Sequence, residues 1–115
     1  MVELIAVVRR ARAIATKAEL ARIGCAGCSW FPVLGRGRQR GLQSDGPLAR
    51  LPFLPKAFFN LYVAEDRIDE TVEAVIRANQ TGEFGDGKIF LLDACEAYRI
   101  STGEREAAKG EVTVS

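Results

Sequence analysis

Histidine is absent from all 115 residues, which excludes imidazole-based triads and proton shuttles and most catalytic zinc sites. Cysteine is scarce: three residues, an odd number, argue against a secreted disulfide framework. Excess charge of one sign is missing too. Sixteen Lys and Arg against fifteen Asp and Glu leave a formal charge of +1, so long electrostatic reach along DNA or an anionic membrane has no support, and any basic patch must be local. No apolar run approaches the roughly 20 residues needed to span a bilayer. Met1 to Arg10 has neither the long apolar core nor the small-residue cleavage site of a signal peptide. The expectation is a cytoplasmic protein. What remains, 48% hydrophobic and 27% charged residues, is the composition of one soluble domain. A chain of this size buries roughly two-thirds of its unfolded surface, enough for one core, and assembly would add to it.

Met1 to Arg10 alternates, with Val2, Leu4, Ala6 and Val8 on one face and Glu3, Ile5, Val7 and Arg9 on the other. A strand with two largely apolar faces is expected. Ala11 to Ile23 is Ala-rich, with Ile14, Ala18 and Ala21 at helical spacing and Gly24 as a stop, which predicts a helix. Cys28 to Leu34 is rich in β-branched and aromatic residues, but Pro32 cannot donate to a ladder, so an edge strand fits. Gly35 to Leu54 shows no sustained period and is expected to be a long loop. Lys56 to Val63 alternates again. Asp66 is the expected N-cap of a second helix, with Glu65, Asp69 and Glu70 near its first turn and Ile68, Val72, Val75 and Ile76 as its apolar stripe. A strand over Ile89 to Leu92, a short extended piece over Ala97 to Ser101 and a polar tail from Glu106 complete the chain. The order predicts a ferredoxin-like βαββαβ fold of the α+β class with an antiparallel sheet. That fold alone names no activity.

Three polar clusters fall in loops or at strand ends: Gly35 to Gly41 with its alternating arginines, Lys56, and Gly85-Asp86-Gly87-Lys88. Each has the chemistry of an anion site. Glycines allow backbone N–H groups close approach to phosphate oxygens, while Lys and Arg neutralise charge. Taken singly, each is equally a plain turn with solvated cations; three together favour a polyanionic small molecule.

The run Thr81-Gly82-Glu83-Phe84-Gly85-Asp86-Gly87-Lys88-Ile89-Phe90 resembles the T-G-x-x-G-D-G-K-I-F signature of the PII nitrogen-regulatory signal transduction family. The resemblance extends to Gly35 through Gly41, to Phe53-Leu54-Pro55-Lys56 and to Arg99 through Glu104, and so covers nearly the whole chain. It implies a homotrimer, without catalytic turnover as its main role, that binds ATP or ADP between subunits and 2-oxoglutarate beside the nucleotide. By the same resemblance the nucleotide-binding residues are Gly35, Gly37, Arg38, Gln39, Gly85, Asp86, Gly87, Lys88, Arg99 and Ser101, with Arg99 reaching in from a neighbouring subunit. The 2-oxoglutarate residues are Gln39, Arg40, Gly41, Lys56 and Gly85, and Gln39 would coordinate the Mg2+ that bridges both ligands. The domain would span 1–105, with the family's partner-binding T-loop at about 36–54, and 106–115 would be a flexible tail.

Several residues depart from the family pattern. Ser101 stands where a second arginine is usual, which affects ATP affinity or the ATP/ADP preference. Leu42 to Phe53 holds no tyrosine, so uridylylation of the T-loop is excluded, and that loop is shorter than usual. Arg10 replaces the proline that usually closes the first strand. Val33 to Leu42 and Asn79-Gln80-Thr81-Gly82 resemble the nitrogenase-associated NifI branch. The resemblance then implies docking onto a nitrogenase component when 2-oxoglutarate is scarce; the alternative is an ammonium transporter or another membrane transporter or enzyme, which would make any membrane contact indirect. Cys25 and Cys28 are read as structural, since no second C-x-x-C or histidine completes a metal site; the alternative is redox tuning. An RNA-binding module, motivated by Arg36, Arg38 and Arg40 near Trp30 and Phe31, lacks the aromatic motif of RNA-recognition domains. No nucleic-acid partner is expected, and Phe58, Phe59 and Tyr62 are read as core and trimer interface.

Overall fold

The computed structural model describes residues 1–25, 27–35 and 54–106. β1 (Val2–Arg9) is followed by a single 3-10 turn and α1 (Ala13–Arg22), then β2 (Ser29–Gly35), β3 (Leu54–Val63), α2 (Ile68–Asn79) and β4 (Gly87–Asp93). A two-stranded hairpin, β5 (Ala97–Tyr98) with β6 (Arg105–Glu106), ends the described chain. The main sheet has the order β2-β3-β1-β4, and every neighbouring pair is antiparallel. Parallel β1 and β2 are thus split by β3, which is the expected ferredoxin-like arrangement.

Strict alternation in β1 produces the two faces of the sheet. Leu4, Ala6 and Val8 are buried beneath the helices with Ala57, Phe59, Leu61 and Val75, while Glu3, Ile5, Val7 and Arg9 turn to the other side. Register places Tyr62, Asn60, Phe58 and Lys56 of β3, and Leu92, Phe90 and Lys88 of β4, on that same uncovered face. Phe31 of β2 stacks on Phe58 there, with ring centroids 4.9 Å apart. Pro32 lies opposite Ala57 in β2, which pairs with β3 alone, so the proline sits on an edge strand as expected.

Both helices are where periodicity places them; α1 is rotated from its expected face, and α2 departs from its stripe at Ile76. The expected α1 stripe of Ile14, Ala18 and Ala21 faces solvent; Ala13, Thr16 and Leu20 are the buried residues. In so Ala-rich a helix the apolar residues surround the axis, and two polar interactions fix the facing side. Thr16 Oγ1 donates to Arg12 O, and Asn79 Nδ2 of α2 donates to Thr16 Oγ1 at 3.0 Å. In α2, Val75 is buried and Ile68 and Val72 pack against the core, yet Ile76 is exposed. Its most buried residues include the small Thr71, Ala74 and Ala78, which permit close helix approach. Asp66 is not the N-cap. Glu65–Arg67 form a 3-10 turn ahead of α2, and its first turn is tied by Arg67 Nε to Glu70 Oε1 at 2.6 Å instead.

α1 ends as Gly24 predicts. With φ at 79°, Gly24 lets its own N–H reach Ala21 O and the Cys25 N–H reach Leu20 O, the paired bonds of a Schellman cap. Cys25 and Cys28 both pack half-buried against the core, and burial pushes the Cys28 thiol above its ordinary range. β3 begins two residues earlier than the alternation indicates, at Leu54. The extended piece stops at Tyr98, and Glu106 belongs to β6. Of the long loop expected over Gly35 to Leu54, the two end residues belong to β2 and β3 and residues 36–53 lie outside the described residues, as do those beyond Glu106.

Candidate functional site

The end of α2 leads into a loop organised by one carboxylate. Asp86 Oδ2 accepts the backbone N–H groups of Thr81 (2.7 Å) and Gly82 (2.9 Å), and Oδ1 accepts the Thr81 hydroxyl (2.5 Å). Arg9, the last residue of β1, adds Nη1 to Asp86 Oδ1 at 2.6 Å and Nη2 to Phe84 O at 2.8 Å. With so many donors, the Asp86 carboxyl is held far below the usual carboxylate range, the Thr81 bonds first among the causes. Gly87 then enters β4 with φ at 121°, and a Cβ there would stand 2.1 Å from Val7 O. Only glycine permits this approach of β4 to β1.

Lys56 joins the next cluster to this loop. Register sets it directly opposite Arg9, and its Nζ donates to Gly85 O at 3.1 Å. Gly35, at the end of β2, is packed on it: a Cβ on Gly35 would be 3.1 Å from Lys56 Cγ. Burial and the Arg9 charge pull the Lys56 ammonium below its ordinary range, while Asp86 acts in the opposite direction. Arg10 closes the corner from the third side, donating Nη2 to Val33 O (2.8 Å) and Nε to Lys56 O (3.3 Å). The arginine in the family's proline position therefore clips β2 and β3 together.

Of the candidate residues, Gly35, Lys56, Gly85, Asp86 and Gly87 converge on this corner. Lys88 lies on the uncovered face of β4, its Nζ 5.9 Å from the Phe90 ring centroid. On the helix side, Gly87 and Lys88 border a cleft of about 380 Å³ whose walls include Val72, Ile76 and Asn79 of α2. Arg99 and Ser101 lie apart, in the β5–β6 hairpin, where Arg99 Nη2 pairs with Glu106 Oε1 at 2.7 Å and Ser101 is exposed in the turn. Gly37, Arg38, Gln39, Arg40 and Gly41 fall outside the described residues.

Electrostatically, the corner suits an anion. Its one carboxylate is fully engaged, whereas Lys56 has only a carbonyl as its hydrogen-bond partner among the described residues. A carboxylate or phosphate arriving there would give the half-buried ammonium a partner of opposite charge. Sequence reasoning missed Arg9 and Thr81. Arg9 meets Asp86 across 77 positions of chain, and only the β1–β4 register brings them together.

The family model described as Nitrogen regulatory protein P-II matches residues 1–104. The chain belongs to the P-II family. Among curated P-II relatives, Nitrogen regulatory protein P-II 2 of Methanothermobacter thermautotrophicus is 38% identical, over 90% of this chain and 92% of that protein. The Nitrogen fixation nifHD1 region GlnB-like protein 2 of Methanosarcina barkeri is 35% identical over 99% of both. Nitrogen regulatory protein P-II 1 of Escherichia coli is 41% identical, over 77% of this chain and 81% of its own. P-II proteins are regulators of nitrogen metabolism. Among the described residues, no helix of this P-II chain is long and apolar enough to cross a membrane.

Proposed function

We propose that this chain is a non-enzymatic, cytoplasmic, trimeric sensor of ATP or ADP and 2-oxoglutarate that regulates nitrogen metabolism through its 36–54 loop. The observation that carries this reading is the Lys56 ammonium, drawn into the corner beside Gly85 and Gly87, where its hydrogen bond among the described residues goes to the Gly85 carbonyl. Gly85, Gly87 and Lys88 hold the phosphates in this reading. Lys56 pairs with a carboxylate of 2-oxoglutarate, and Gln39 ligates a Mg2+ that screens the two anions from each other. Gly35 and Arg38 complete the nucleotide side, and Arg40 and Gly41 the acid side.

Trimer formation is supported by the uncovered sheet face. Phe31, Phe90 and Leu92 are each nearly half exposed there, an apolar surface that an isolated domain would leave in water. Assembly also gives Arg99 a role, since its hairpin stands away from the loop within one chain. The target is a nitrogenase component in this reading, supported by the 35% identical relative whose name places it in a nifHD1 region. Ligands act on the target in this reading because Arg38 to Gly41 belong to the 36–54 segment and Lys56 follows it closely in sequence. Binding therefore selects among loop conformations.

Isothermal titration with ATP, with and without Mg2+ and 2-oxoglutarate, tests the sensor. Binding of 2-oxoglutarate that requires Mg-ATP and is lost in Lys56→Ala and Gln39→Ala is the expected result. Nucleotide binding with no response to 2-oxoglutarate would contradict the second ligand. For the target, the purified protein is expected to inhibit nitrogenase in extract at low 2-oxoglutarate; unchanged activity would reject that partner.

A further inference from the structure

Asp86 poses a problem for any anion site built on its loop. A carboxylate lies between Gly85 and Gly87, where phosphate oxygens are expected to come close, and its unmasked charge would repel them. We propose that Arg9 is the positioning residue of the site: it touches no ligand, but masks the Asp86 charge and fixes the Phe84–Asp86 turn so that the loop can accept a polyphosphate. This inference rests on the nucleotide reading above.

The fork geometry supports the assignment. One nitrogen of the guanidinium engages Asp86 Oδ1 and another Phe84 O, at 2.6 and 2.8 Å. Lys56, opposite Arg9 on β3, takes the intervening Gly85 O. Acceptors of three consecutive loop residues are thus held by two adjacent cations on the sheet. Both Arg9 and Asp86 are partly buried, with side chains 29% and 21% exposed, so their attraction is screened less than that of a surface pair. Arg9 spends its guanidinium on Asp86 Oδ1 and Phe84 O within the loop, whereas Lys56 and Lys88 keep their charge available for ligand. A lysine at position 9 would keep the charge but lose the fork.

A double-mutant cycle separates masking from direct contact. ATP and inorganic tripolyphosphate are titrated into the wild type, Arg9→Met, Asp86→Asn and the double variant, with thermal unfolding to confirm that each is folded. Arg9→Met is expected to weaken both probes by about tenfold or more, the scale of a lost charge-assisted interaction. The double variant, which has no charge left to mask and whose amide oxygen can still accept from Thr81 and Gly82, is expected to bind both probes more tightly than Arg9→Met, yet more weakly than wild type because the fork to Phe84 O stays absent. Equal weakness of Arg9→Met and the double variant would overturn masking, and so would an unchanged Arg9→Met. Should Arg9→Met fail to fold, Arg9→Lys serves in its place, with a smaller loss that Asp86→Asn again relieves.

Amide hydrogen exchange on ligand-free protein distinguishes failure of this inference from failure of the nucleotide reading. Exchange at Thr81 and Gly82 is expected to quicken in Arg9→Met and to stay quick in the double variant, which also lacks the guanidinium fork. Wild type that binds neither probe would overturn the nucleotide reading and the masking role with it, while quickened exchange would still establish Arg9 as the residue that positions the loop. Unaltered exchange in Arg9→Met would overturn the positioning role even if ATP binds.

Discussion

The Thr81–Lys88 loop and the β5–β6 hairpin both carry residues of one proposed nucleotide site, yet they are held in opposite ways. Bonds from β1 and β3 cross to the loop at Phe84, Gly85 and Asp86, and Gly87 is pressed against the β1 backbone. The hairpin is closed by its own contacts: Arg99 N–H to Glu104 O, Gly103 N–H to Arg99 O, and the Arg99–Glu106 pair. Tyr98 and Ile100 on it are exposed. The difference teaches that a single chain preorganises only half of the site. In the proposed site the loop is prepared before ligand arrives, whereas the hairpin's arginine would act only on meeting another subunit.

Breaking the loop should have the largest effect. Gly87→Ala drives a Cβ into Val7 O in a backbone conformation that alanine rarely adopts, and is expected to cost about 2–4 kcal/mol of stability. Chemical denaturation measures it; a loss no greater than that at an exposed glycine such as Gly103 would show that the close approach relaxes without cost.

Two pH profiles sharpen the contrast. The depressed Asp86 titration means that its contribution to stability is complete above the ordinary carboxylate pKa and is lost as pH falls through the lower folded value. Asp86→Asn should therefore be less stable than wild type at neutral pH, and the gap in Tm should narrow below about pH 4. A constant gap would place the effect elsewhere. For Lys56 the sign reverses. Its ammonium is already disfavoured in the free protein and a bound carboxylate favours it, so 2-oxoglutarate affinity in the presence of Mg-ATP should fall as pH rises toward the usual lysine range. Lys56→Arg, which stays charged, should flatten that fall, and identical slopes would remove Lys56 from the 2-oxoglutarate side of the site.

The smallest effect on stability belongs to the hairpin. Arg99→Ala removes an ion pair whose partners are 42% and 20% exposed, and is expected to change stability by no more than about 1 kcal/mol. ATP affinity should nevertheless fall. A destabilisation as large as that of Gly87→Ala would mean that the hairpin is part of the core.

Legibility in the sequence followed the range of the forces involved. Alternation revealed β1 and both of its faces, the proline placed β2 at an edge, and Gly24 marked the α1 cap, because each depends on neighbouring residues alone. Helix rotation was not legible. Thr16 and Asn79 decide it through a bond between residues 63 positions apart, and polar residues carry no weight in a hydrophobic stripe. The anion-site candidates Lys56, Gly85 and Gly87 were readable from glycine and cation clustering, and the structure brings them together with Gly35. Arg9 was not, since an arginine closing a strand looks solvated until the strand register supplies Asp86. The α2 N-cap failed for a related reason: Asp66 is absorbed into a 3-10 turn whose start is set by the end of β3.

The measurement that bears most directly on a site shared between subunits is complementation between Lys88→Ala and Arg99→Ala chains. Each variant alone should bind ATP weakly. After the two are unfolded, mixed in equal amounts and refolded together, about a quarter of the interfaces in randomly assembled cyclic trimers should pair an intact loop with an intact hairpin, and titration should recover wild-type affinity at that fraction of sites. No recovery in the mixture, with assembly verified by mass, would contradict the account.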